Sequence, residues 1–148
     1  VTIRSSYRPI QVKHVGGGLK VDGSSCSVMA EDVAGDVNIE NSYKYVILKR
    51  TSGSIVVQGS SSPIEVSQIK NLPSNAQVEL ITTYKPILLY VPKNPNVNIS
   101  AYTRYGKISS DFPVYLDEED KNRIRIELGA GQTAVRLQTS GNITIKKD

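Results

Sequence analysis

The chain has 148 residues, 39% of them hydrophobic and 22% charged, which is enough apolar material for one compact domain and too little length for two. Its net charge of +4 permits weak attraction to acidic polymers without by itself indicating nucleic acid. A single Cys (Cys26) and a single His (His14) exclude a disulfide framework and a zinc site, and no apolar run is long enough for a membrane span.

From the first residue the chain reads as a nine-residue repeat. Apolar residues two apart occur at Val1/Ile3, Ile10/Val12, Leu19/Val21, Val28/Ala30, Val37/Ile39, Val46/Leu48, Ile55/Val57 and Ile64/Val66. Such pairs share one face of a strand while the residue between them faces the other way. The helical spacing of three and four is missing, so a strand is predicted at every triplet. Five residues after each triplet begins, hydroxyl and apolar residues alternate: Ser6, Val15, Ser24, Val33, Ser42, Thr51, Ser60, Ile69. Glycine follows the apolar kind, in Gly16-Gly17-Gly18, Gly35 and Gly53. Two kinds of turn between like strands imply two strands, and eighteen residues, per coil. Units of that size bury their apolar faces only by stacking, so the fold class is all-β, a parallel β-solenoid. Eight triplets give about four coils, roughly 19 Å of rod at the usual strand spacing, and right-handed coiling is expected.

Beyond Lys70 the repeat continues with insertions. Val78/Leu80 follows the extra residues Asn71-Leu72-Pro73-Ser74-Asn75, Ile87/Leu89 returns at nine, and Val97/Ile99 lies past Pro92-Lys93-Asn94-Pro95. Ile108 precedes the largest excursion, residues 111–123, after which come Ile124/Ile126, Val135/Leu137 and Ile143/Ile145. Thr139-Ser140-Gly141-Asn142-Ile143 echoes Thr51-Ser52-Gly53-Ser54-Ile55, which implies that turn type tracks strand parity to the end. The expectation is one solenoid domain over 1–148, regular over 1–70 and with longer loops over 71–148.

Several segments carry a family resemblance. Gly35-Asp36-Val37-Asn38-Ile39-Glu40-Asn41-Ser42-Tyr43, Gly53-Ser54-Ile55-Val56-Val57, Tyr105-Gly106-Lys107-Ile108-Ser109-Ser110-Asp111-Phe112-Pro113-Val114 and Thr139-Ser140-Gly141-Asn142-Ile143 resemble the bacterial adhesin-type repeat domains, β-solenoids of G-D-V-x-V and N-S-Y-G-x-V units. Gly129-Ala130-Gly131 and Leu137-Gln138-Thr139 stand where that family closes with G-x-G and L-x-T. Tyr43-Lys44-Tyr45 and Tyr84-Lys85-Pro86 depart from its Tyr-Gly units, so those turns do not rely on glycine. The resemblance implies an extracytoplasmic, non-enzymatic domain, in the periplasm, at the cell surface or secreted. No signal peptide is seen, and the start at Val1 without Met reads as a processed or trimmed piece.

Candidate chemistry is sparse. Gly129-x-Gly131-x-x-Ala134 matches the dinucleotide fingerprint on paper, but an alternating strand follows it where a helix is needed. Gly16-Gly17-Gly18 and Gly35-Asp36 lack the stacked oxygen donors of a calcium solenoid, and Asp117-Glu118-Glu119-Asp120 reads as a solvated loop tip. The outward columns Thr2, Lys20, Asn38, Val56 and Gln11, Met29, Ile47, Glu65 contain no pair of acids for glycosidic chemistry. His14 has no obvious partner and Cys26 reads as a turn residue. No catalytic residue, cofactor or metal site is expected.

The most informative side chains are aromatic. Tyr7, Tyr43, Tyr84 and Tyr105 each lie three residues before a triplet, with Arg8, Lys44, Lys85 and Arg104 beside them. The intervals between the tyrosines translate to two coils, two coils plus five residues, and one coil plus three, which places all four on one edge. Ser25 and Ser61 fall between them. Two readings follow: a corner stack in which the rings cover the edge of the core, or an aromatic, basic ridge that stacks on sugars or meets acidic glycans. The function expected is a non-enzymatic envelope or extracellular binding module whose partner is a glycan or a surface protein, with no nucleic acid. The alternative is a self-assembling scaffold of bactofilin type.

Overall fold

A computed structural model of the chain describes residues 1–70, 76–92, 96–116, 122–129 and 133–147. Sixteen strands and no helix occur among them. The first eight are β1 (Thr2–Ser6), β2 (Ile10–Val15), β3 (Leu19–Ser24), β4 (Val28–Val33), β5 (Val37–Ser42), β6 (Val46–Thr51), β7 (Ile55–Ser60) and β8 (Ile64–Ser67). There follow β9 (Gln77–Ile81), β10 (Ile87–Val91), β11 (Val97–Thr103), β12 (Ile108–Ser110), β13 (Tyr115–Leu116), β14 (Arg123–Leu128), β15 (Thr133–Thr139) and β16 (Ile143–Lys147).

Through β10 the strands alternate between two sheets. Odd strands pair in parallel with odd strands, even with even, and each step crosses from one sheet to the other, eight to ten residues long except for the thirteen from β8 to β9. The register is eighteen residues: Thr2 sits beside Lys20, Ile10 beside Val28 and Val37 beside Ile55. We call an odd strand and the even strand after it a tier. β-branched Val and Ile at alternate positions suit a pleated, half-buried surface, and both sheets turn these residues toward one core. Val37, Ile39, Ile55 and Val57 are buried on neighbouring strands of the larger sheet, as the nine-residue register predicts. The residues between them form the expected outward columns.

Chain order and spatial order diverge after β10. β15 pairs in parallel with both β9 and β11, and β16 with both β10 and β12, so the last two strands form a tier lodged between two earlier ones. β14 then runs antiparallel along the outer side of β11, with β13 antiparallel to β14. This corrects the expectation of parallel strands stacked in sequence to the end. A parallel neighbour requires a long crossover connection, whereas an antiparallel one such as β14 beside β13 needs only a short one.

At the opposite end β1 and β2 each have one neighbour; Val1 is exposed and Ile3 and Val12 only half-buried. The resemblance between the turns at 51–55 and 139–143 does not track parity: the first joins an even strand to an odd one, the second an odd strand to an even one. What the two share is close approach of backbones. A Cβ on Gly53 would meet the Gly35 carbonyl oxygen at 2.6 Å, and one on Gly141 the Lys85 carbonyl at 2.9 Å.

Candidate functional site

The turns that lead from odd to even strands line one edge of the stack. In five of them one residue is left-handed: Tyr7 (φ 66°), Ser25 (56°), Tyr43 (71°), Ser61 (55°) and Tyr84 (62°). An L residue costs about 1–2 kcal/mol there, and a bulky one is an outlier that the surroundings must enforce. Ladder bonds enforce it, with the Tyr7 amide donating to the Ser24 carbonyl (2.9 Å) and the Tyr43 amide to that of Ser60 (2.8 Å).

The lodged tier decides how the tyrosines are spaced. The Ile87 amide donates to the Asn142 carbonyl (2.9 Å), the Ile143 amide to that of Lys107 (2.9 Å), and the Thr139 hydroxyl to that of Lys85 (2.7 Å). The turn at Ser140–Gly141 therefore sits between those of Tyr84 and Tyr105. Along the edge the sequence is Tyr7, Ser25, Tyr43, Ser61, Tyr84, Ser140, Tyr105. Tyr84 and Tyr105 are two tiers apart, which corrects the count of one coil plus three. All four tyrosines then recur at every second tier, about 10 Å apart.

The rings stand in solvent: Tyr7 is 81%, Tyr43 67%, Tyr84 75% and Tyr105 76% exposed. They do not lie over the edge of the core as a corner stack would. That edge is sealed from within by Cys26, Asn41, Ser62, Thr82, Thr103 and Thr139, all buried. Cys26 is in a turn, as expected, yet its thiol points inward and shares its proton between the Ser5 and Ser24 carbonyls at 3.3 Å each. Arg8, Lys44, Lys85 and Arg104 are all exposed, and the Arg104 guanidinium lies 5.4 Å from the centroid of the Tyr105 ring. None of the four forms an ion pair among the described residues.

The opposite edge is different in kind. Its left-handed residues are His14, Asp32, Arg50 and Gln68, eighteen apart. Arg50 Nε donates to Asp32 Oδ1 (2.7 Å), its terminal nitrogens reach Glu31 Oε2 (2.9 Å) and Gln68 Oε1 (3.3 Å), and His14 Nδ1 is 3.3 Å from Asp32 Oδ2. Lys70 Nζ is 3.8 Å from the same carboxylate. The hydrogen bond from Arg50 holds the Asp32 carboxyl below its ordinary value, and Asp32 in turn raises Arg50. His14, expected to lack a partner, has one in Asp32. The signal was present in the sequence, since each of these residues directly precedes the apolar column Val15, Val33, Thr51, Ile69.

Of the remaining sequence candidates, Asp36 serves its turn by accepting from the Ser54 amide (2.9 Å). Ala134 lies in a strand, so no helix follows Gly129 to cradle a phosphate. Asp117-Glu118-Glu119-Asp120, the 71–75 insertion and Gly131 fall outside the described residues. Among the described residues no three His, Cys, Asp or Glu side chains form a cluster fit for a metal ion, and no helix is long and apolar enough to cross a membrane. Comparison with family models, with curated proteins and with solved structures returns no match.

Proposed function

We propose that the tiers are the coils of a right-handed parallel β-solenoid, and that the chain is a non-enzymatic, adhesin-like module of the cell envelope or extracellular space. It recognises a glycan or a surface protein through the tyrosine edge. The observation that carries this reading is the set of four solvent-exposed rings at regular intervals on one edge, three of them on backbone that disfavours a bulky side chain. Exposed rings with polar tips that fill no place in the core are the common currency of recognition surfaces.

The test uses the residue the fold already accepts at the alternate turns. Tyr43→Ser with Tyr84→Ser places serine in the left-handed position that Ser25 and Ser61 occupy, so folding should hold. Binding on a mixed array of glycans and envelope proteins should fall about tenfold or more, as loss of two stacking rings implies. An array on which the unaltered protein and the double variant behave alike overturns the reading.

The eighteen-residue parallel register of the first four tiers is what the second reading, a scaffold that stacks end to end, would extend. The antiparallel β13–β14 ribbon at the other end opposes it, because it does not present the same parallel register. Sedimentation at several concentrations separates the two, giving monomers for the module and salt-tolerant polymers for the scaffold.

A further inference from the structure

Charge and spacing along the tyrosine edge together narrow what it binds. The seven turns that cross from the larger sheet to the smaller carry five cations, Arg8, Lys44, Lys85, Arg104 and Lys107, and no Asp or Glu; Asp117, Glu118, Glu119 and Asp120, between β13 and β14, lie outside the described residues. Those five cations exceed the net charge of +4 for the whole chain. On the opposite edge Glu31 and Asp32 are paired with Arg50 and Lys70. One edge thus pairs its charges internally, while the crossing turns of the other carry cations beside exposed rings.

The spacing adds a period. Sequence intervals of 36, 41 and 21 residues separate the four tyrosines, yet the lodged β15–β16 tier makes all three intervals equal in space. Between the rings stand small hydroxyl residues, Ser25, Ser61 and Ser140.

Resting on the recognition reading above, we infer that the ligand of this edge is a linear anionic polysaccharide with a two-sugar repeat, laid along the axis of the stack. In an extended β-1,4-linked chain each sugar is turned over relative to the last, so the same face returns at every second ring. The tyrosines return at every second tier, about 10 Å, which is comparable to the span of two sugars. The C–H face of one sugar stacks on each tyrosine. The intervening sugar, facing away, passes over a serine that is small enough to admit it and offers a hydroxyl. The carboxylate or sulfate groups meet the cation beside each ring. A single-stranded nucleic acid would want a stacking platform for successive bases, which the alternate serines do not provide.

The test measures binding of β-1,4-linked mannuronate oligomers of increasing length, with neutral β-1,4-mannan oligomers and oligo-dT as controls. Affinity for mannuronate should rise in steps of two sugars as each further tyrosine is reached. Tyr43→Ser should weaken it about tenfold at unchanged charge. Lys44→Gln with Lys85→Gln should weaken it and flatten its salt dependence, because exposed charges act through a screened field. Equal, tyrosine-dependent binding of neutral mannan overturns the anionic ligand and leaves the recognition reading standing. Binding of oligo-dT as tight as mannuronate, or a smooth rise with oligomer length, overturns the periodic glycan. If no oligomer binds but the glycan and protein array still responds to the tyrosine variants, this inference fails alone; if neither responds, both fail.

Discussion

Thr51 shows how a single position reports the register. It occupies the apolar column of Val15, Val33 and Ile69, is fully buried, and its hydroxyl has no hydrogen-bond partner. Burying a hydroxyl without a partner costs free energy that an isosteric methyl does not. Thr51→Val should therefore stabilise the protein by about 1 kcal/mol, raising Tm by roughly 3 °C. A fall in Tm on thermal melting would mean that the hydroxyl is satisfied by something unseen, such as water. The burial of Thr51 was legible eighteen residues after Val33. The left-handed backbone was not, because Tyr, His, Asp, Arg, Gln and Ser occupy those positions where Gly or Asn would have announced it. For the same reason the exposure of the tyrosines could not be settled from the sequence: amphipathic rings suit a core edge and a solvent-facing turn equally well.

At the scale of strands and turns, the polar edge links successive tiers through side chains. Asp32 is faced by Arg50, His14 and Lys70, with Glu31 on the far side of Arg50. Its carboxyl lies below the ordinary 3.8 in the folded protein, so the stability it lends is complete above that pH and is lost as pH falls through the folded value. Melting temperatures of the protein and of Asp32→Asn should differ by a constant amount from pH 7 to pH 5, and the gap should begin to narrow only as pH falls below about 4. A gap that persists at pH 2 would assign the difference to packing. Every strand of the regular half follows from apolar spacing, because period two fixes which side faces the core. Spacing is silent on which strands become neighbours, so neither the β13–β14 ribbon nor the place of β15 and β16 could be read from Ile124/Ile126 or Val135/Leu137.

Across the whole molecule, the N-terminal tiers pair over eighteen residues, while β9 meets β15 and β10 meets β16 over more than fifty. Local ladders close early and long-range ones late. In the finished stack, however, β15 is interior and β1 is an edge. Amide hydrogen exchange should find β15 protected about as well as β5 and β7, and β1 and β2 exchanging first. Rapid exchange of β15 would show that the lodged tier opens on its own. The arrangement also constrains how such a chain can lengthen in evolution. A tandem duplication of eighteen residues among the first four tiers would preserve every ladder, but would set two tyrosine turns or two serine turns side by side. A duplication of thirty-six preserves the ladders and the alternation together. Copying β9 or β10 alone would disturb the slot that receives the last two strands. The heritable unit of this edge is therefore twice the unit of the fold, and growth is confined to the regular tiers.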